Sequence, residues 1–123
     1  MSKAYKFLLI DDDLIFLRIA KFQLEKKLNI DVEVFTAANL AQIEERMEDD
    51  YDMVFIDLNM PETTGWEVIE RYKDKLKQPS CIALICSSSI DPRDKERADN
   101  MSDVIEKMIS KPIDIDLVQT YFE

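Results

Sequence analysis

Apolar residues along this chain fall into short uniform runs, separated by longer stretches in which they recur every three or four positions. Tyr5–Ile10 (YKFLLI) is such a run and reads as a strand; it stops at Asp11-Asp12-Asp13. Leu14–Leu28 then carries apolar residues at helical spacings, with Asp13 suited to cap that helix. Asp31–Phe35 (DVEVF) alternates, which predicts a strand near a sheet edge. Asn39–Glu48 predicts a helix with Leu40, Ile43 and Met47 on one face. Met53–Ile56 (MVFI) is a uniform run that ends at a carboxylate, Asp57, and Gly65, the only glycine in the chain, closes the loop after it. Gly65–Leu76 predicts a helix with Trp66, Ile69 and Tyr72 spaced for one face, ended by Gln78-Pro79. Cys81–Cys86 (CIALIC) is another buried-type strand and runs into Ser87-Ser88-Ser89. Asp91-Pro92 opens a polar helix to about Asn100, with proline in the first turn. Val104–Ser110 is a weaker strand with Lys111-Pro112 after it, and Ile113–Phe122 is the last helix.

This is a strand–helix pair repeated five times with short connections. Such alternation predicts an α/β fold: a doubly wound five-stranded parallel sheet with right-handed crossovers and helices on both faces. The first, third and fourth strands are the most uniformly apolar and belong in the centre. Strand order 2-1-3-4-5 satisfies this and puts a topological switch point between strands 1 and 3. A single domain over residues 1–123 is expected, with no internal repeat and no linker.

Composition narrows the function. The net charge is −10, from 26 acidic and 16 basic residues, which argues against nucleic acid or an anionic membrane as direct partner. Histidine is absent, so histidine catalysis and histidine metal sites are excluded. The two cysteines, Cys81 and Cys86, share one extended run and read as buried free thiols of a reducing, cytoplasmic compartment. The amino-terminal apolar run is too short for a signal peptide, and nothing reaches membrane-spanning length.

The candidate chemistry lies just beyond the strand ends. Strand 1 delivers Asp11 and Asp12, strand 3 Asp57, strand 4 Ser87 and strand 5 Lys111. In a parallel sheet these positions converge at one edge, where ligands of open α/β sheets bind. Three ionised carboxylates in one small site call for a cation, and oxygen-only donors favour Mg²⁺, with Mn²⁺ as a substitute. A hydroxyl and an ammonium facing them suit a phosphoryl group. No glycine-rich loop exists to cradle a nucleotide, so the phosphoryl group is expected on the protein itself, with Asp57 as nucleophile.

Together these residues resemble the receiver domain of two-component response regulators, a flavodoxin-like (βα)5 fold. The likeness spans essentially the whole chain. It rests on Asp11-Asp12, on Asp57-x-x-Met60-Pro61-x-x-x-Gly65, on Ser87 and on Lys111-Pro112. It implies that Asp57 accepts a phosphoryl group from a sensor histidine kinase or phosphotransfer protein. It implies Mg²⁺ held directly by Asp12 and through water by Asp11, with Asp57 and the backbone carbonyl of Asn59 completing the metal site. Lys111 is then the partner of Asp57 or its phosphate, aimed by a cis bond before Pro112. Ser87 senses the phosphoryl group and changes the surface of the fourth helix, fifth strand and fifth helix for a downstream partner, or for pairing of two copies.

Two positions depart from the family pattern. Met108 stands where relatives often carry an aromatic ring, and Met101-Ser102-Asp103 replaces the usual Gly-Ala before strand 5. Asp13 is read as a cap, Trp66 and Tyr72 as packing residues, and Met108 as core or groove lining. An enzyme is the competing class: a haloacid-dehalogenase-like phosphatase with Asp11 as nucleophile in an Asp11-x-Asp13 pattern. That family needs a late acidic pair, where this chain has Lys111-Pro112.

Overall fold

The structure, a computed structural model, describes residues 4–88 and 90–123. Residues 1–3, at the start of the amino-terminal run, and Ser89 of the serine run lie outside the described residues. In chain order the elements are β1 (Tyr5–Ile10), α1 (Leu14–Lys27), β2 (Val32–Ala37), α2 (Leu40–Arg46), β3 (Met53–Ile56) and α3 (Gly65–Arg71). They continue with α4 (Lys73–Leu76), β4 (Ile82–Ser87), α5 (Pro92–Asp99), β5 (Ile105–Ser110) and α6 (Ile115–Thr120). The five strands form one parallel sheet in the order β2-β1-β3-β4-β5, as the hydrophobic pattern predicts.

The sheet divides the core in two because side chains alternate along each strand. Leu8 and Ile10 of β1 join Val54, Ile56, Ala83 and Ile85 on one face, under Ile43 of α2, Val68 and Ile69 of α3, and Ala98 of α5. Phe7 and Leu9 join Phe55, Leu84 and Cys86 on the other, under Leu17 and Leu24 of α1 and Val118 of α6. Each of the larger side chains among them, Val, Leu, Ile or Phe, contributes about 1.5–3 kcal/mol on burial. This two-sided burial is why β1, β3 and β4 read as uniform apolar runs rather than alternating ones.

Most helix and strand ends shift by one or two residues from the sequence reading, and two differences have specific physical reasons. β2 extends to Ala37, beyond the alternating DVEVF segment, because its ladder with β1 continues to the Ile10–Ala37 pair. The helix expected over Gly65–Leu76 breaks at Tyr72 (φ −110°, ψ 23°) and restarts as α4. There the packing of Tyr72 and buried Leu76 on the first core face overrides an unbroken helical period. The later helices are therefore α5 and α6, and the anticipated switch surface is α5–β5–α6. β5 carries an irregularity: Ala83 pairs with Ile105 but Leu84 pairs with Lys107, so Glu106 is an extra residue without a partner in the ladder.

Candidate functional site

Register alone brings the acidic residues together. Ile10, Ile56 and Ile85 form one row across β1, β3 and β4, so Asp11 and Asp57 leave the sheet side by side. The backbone fixes both: the Asp57 N–H donates to the Ile10 carbonyl at 3.0 Å, and the Asp11 N–H to the Ala37 carbonyl at 3.1 Å. Asp11 and Asp57 are buried while Asp12 is exposed, yet one carboxylate oxygen of each lies within 4.8 Å of the others. That donor set, oxygen-only and without histidine, fits a hard divalent cation.

Lys111 reaches the same place from the end of β5. Its backbone N–H donates to the Ser87 carbonyl at 2.8 Å, and the bond to Pro112 is cis. Its ammonium makes an ion pair with Asp11 Oδ2 and lies 3.6 Å from Asp57 Oδ1, with only 17% of the side chain exposed. The other oxygen of Asp11 accepts from the Asp13 N–H at 2.9 Å. Asp13 itself caps α1, accepting from the N–H groups of Ile15 and Phe16 at 3.1 Å each, as its position predicts.

Burial pushes Asp57 up to about 6, and the neighbouring Asp11 charge pushes the same way, while Lys111 pulls against both. For Lys111, burial opposes the charged form, but its contact with Asp11 and the charges of Asp11 and Asp57 prevail and raise its pKa. Burial drives the Cys86 thiol up to about 12, so this thiol stays protonated and inert beside the carboxylates.

The remaining expected residues fall around this centre. Ser87 ends β4, is buried, and pairs in register with Ser110. Asn59 is exposed, two residues beyond Asp57, and forms an antiparallel bridge with Thr64. Thr64 caps α3, accepting from the Glu67 N–H at 3.2 Å. Gly65 comes next, and the loop closes so tightly there that an added Cβ would sit 2.5 Å from the Asp57 carbonyl oxygen and 2.9 Å from Leu58 Cα. The glycine is thus required by a close approach, its N–H donating to the Leu58 carbonyl at 2.9 Å, and its φ is not positive.

Two contacts went unread in the sequence. The Lys111 ammonium lies over the Phe16 ring, 4.6 Å from its centroid, and the Arg97 guanidinium lies over Trp66 at 4.4 Å. The first had a signal, since the Asp13 cap fixes the first turn of α1 next to the acids. The second joins α3 to α5 across a distance in sequence that no periodicity reports. Met108 is buried in the first core cluster, against which Trp66 also packs.

Comparison with known proteins agrees with this geometry. The response regulator receiver domain family matches residues 7–123, and the chain belongs to that family. It is 33% identical over 86 residues to Stress response regulator protein 1 of Clavispora lusitaniae; the match takes in 68% of this chain and 45% of that protein, so the chain spans about half of its relative's length. A two-component response regulator from Cytophaga hutchinsonii is 28% identical, with a TM-score of 0.77 over 99% of this chain and 96% of that one. A response regulator from Burkholderia pseudomallei, solved with a phosphorylated aspartic acid, calcium and citrate, shares the fold. It has 18% identity and a TM-score of 0.78, over 97% of this chain and 66% of that one. The chain is thus a receiver domain of two-component signalling, a signalling module rather than a classical enzyme. No helix among the described residues is long and apolar enough to cross a membrane.

Proposed function

We propose that this receiver is a cytoplasmic, Mg²⁺-dependent phosphorylation switch with Asp57 as its acceptor. The observation that carries this reading is the convergence of three carboxylates within 4.8 Å, with one ammonium seated among them. An oxygen of Asp57 attacks the phosphorus of a phosphohistidine on a sensor kinase or phosphotransfer protein. The P–N bond breaks, the imidazole leaves with its electron pair, and an acyl phosphate forms. A pKa of about 6 leaves Asp57 ionised at neutral pH and more basic than an ordinary carboxylate, which suits a nucleophile. Asp12, Asp57 and the Asn59 carbonyl would hold Mg²⁺, with Asp11 acting through water; the cation supplies charge neutralisation at the phosphoryl oxygens. Lys111 offsets the remaining charge, and Ser87 donates to a phosphoryl oxygen.

The donor has an apolar surface to approach. Ile15, Ile19 and Phe22, all more than half exposed, form a stripe down α1 that begins beside the Asp13 cap. On the output side, drawing Ser87 toward the phosphate disturbs α5–β5–α6, through which a downstream partner or a second copy would be engaged. Met108 is flexible and gates this change less sharply than a ring.

Treatment with acetyl phosphate and Mg²⁺ tests the reading. One base-labile phosphoryl group is expected on Asp57 by mass spectrometry, and none in Asp57→Asn. A group on Asp11 would establish the phosphatase alternative instead. After beryllofluoride treatment, Ser87→Ala should keep the site loaded but lose the amide shifts over residues 91–100 and 104–110. Met108→Ala should retain most of them.

A further inference from the structure

We propose that Phe16 is a positioning residue for Lys111, holding the ammonium within reach of Asp57 when a divalent cation takes over Asp11. The inference rests on the metal-site reading above. In the structure the ammonium lies close to three groups among the described residues that bear on metal binding: Asp11 Oδ2, Asp57 Oδ1 at 3.6 Å, and the Phe16 ring at 4.6 Å. Two of the three are carboxylates that a divalent cation also needs. A cation bound to this acidic set competes for Asp11 and repels the ammonium. Lysine is a compact charge on a flexible four-carbon stem, so an ammonium that loses its tightest partner tends to swing out into water.

The ring is the one neighbour of the three for which the metal does not compete. Its attraction for a cation grows as the cation loses other partners and water. With both carboxylates engaged, the ring adds little; with Asp11 withdrawn, it becomes a principal hold on the ammonium. Phe16 therefore contributes more to the metal-loaded state than to the free state, and that difference appears as metal affinity. The placement is secured locally. Asp13 accepts the Phe16 N–H at 3.1 Å, so the cap that starts α1 also sets the ring beneath Lys111. The plain alternative is that Phe16 only packs against the second core cluster, which it also touches.

The two readings separate on Phe16→Leu, which keeps an apolar side chain but removes the π face, and on Phe16→Tyr, which keeps both. In the metal-free protein, the ε-methylene protons of Lys111 should be shifted upfield by the ring in wild type and Phe16→Tyr. In Phe16→Leu they should return toward unperturbed values. In Mg²⁺ titrations, Phe16→Leu should weaken binding about two- to fivefold, and Phe16→Tyr should restore it. In a Lys111→Met background, Phe16→Leu should leave Mg²⁺ affinity unchanged, because no ammonium remains to be held. An unshifted Lys111 ε-methylene in wild type overturns the proposal, and so does an equal effect of Phe16→Leu in both backgrounds. A wild type that binds Mg²⁺ without Lys111-dependent coupling to Phe16 removes this inference and leaves the metal site standing. A wild type that binds no Mg²⁺ removes both.

Discussion

At the amino-terminal end of the sheet, Lys6 rests between two rings, 5.3 Å from the Phe35 centroid and 5.4 Å from that of Tyr51, with Asp49 Oδ2 at 4.0 Å. Its backbone exchanges hydrogen bonds with Asp52, whose Oδ2 accepts from the Lys6 N–H at 2.9 Å. At the carboxyl end, Lys111 faces Asp11 and Asp57 with Asp12 close behind, and two of these three acids are buried. Both ends carry a lysine, acids and an aromatic face. Around Lys6 the charges are part-exposed, so water screens them and each pair contributes little. Around Lys111 the acids outnumber the cation where screening is weak, so charge is left uncompensated. The fold is satisfied at one end of its strands and short of positive charge at the other, and the shortage is at the end suited to a cation.

Substitutions at the two ends test that contrast. Lys111→Met should have the largest effect. It leaves the buried Asp11 carboxylate without its ion pair, so the metal-free protein should lose up to about 3 kcal/mol. Millimolar Mg²⁺ should recover more stability than it adds to wild type. Thermal melts with and without EDTA measure both. If Lys111→Met costs no more than a change at Lys6, the two ends do not differ as described.

Gly65→Ala comes next. A Cβ there meets backbone at 2.5 and 2.9 Å, with no flexible side-chain tip to yield first. The Asp57 loop must move, and overpacking of this kind costs about 1–3 kcal/mol. Urea unfolding should report that loss. Mg²⁺ affinity should fall with it, whereas equally destabilising changes at the Lys6 end should leave metal binding intact.

A smaller effect of opposite sign is expected for Asp57→Asn. The folded pKa of Asp57, about 6, lies above its ordinary 3.8, chiefly through burial and then through the Asp11 charge. Between those values the native protein holds more protons at this site than the unfolded chain. This group's contribution to stability therefore rises as pH is lowered from 6 toward 3.8, and its cost is fully present above pH 6. At pH 7 without metal, Asp57→Asn should be the more stable protein, by roughly 1 kcal/mol. Its advantage should vanish as pH falls toward 4. An advantage independent of pH would mean that the ionised Asp57 carboxylate is not its source. Smallest of all, Lys6→Leu should change stability by less than about 0.5 kcal/mol and leave Mg²⁺ binding untouched.

The strand order and most of the carboxyl-end cluster were legible in the sequence because both stem from one-dimensional signals. Uniform apolar runs mark two-sided burial, and a carboxylate at the end of such a run has no packing role. Met53–Ile56 keeps the bounds its pattern predicts, and the Ile10–Ile56 register brings Asp11 and Asp57 together. The break at Tyr72 was hidden because its helical period continues unbroken on both sides. The Arg97 contact was hidden, and the Phe16 contact signalled only through the Asp13 cap, because a ring reads as apolar whether it packs or holds a cation. Seeing them required knowing which elements meet in space.

The extra residue at Glu106 has a consequence for the molecule in company. β5 is an edge strand, and an open edge invites another chain to add a strand and begin a fibre. Here the ladder is broken by the unpaired Glu106, and Glu106, Lys107 and Ser110 all stand exposed along that strand. A second chain laid alongside would meet kinked backbone and both signs of charge, rather than a flat row of free N–H and C=O groups. The border of the sheet at β5 is thereby guarded against edge-to-edge pairing with a second copy.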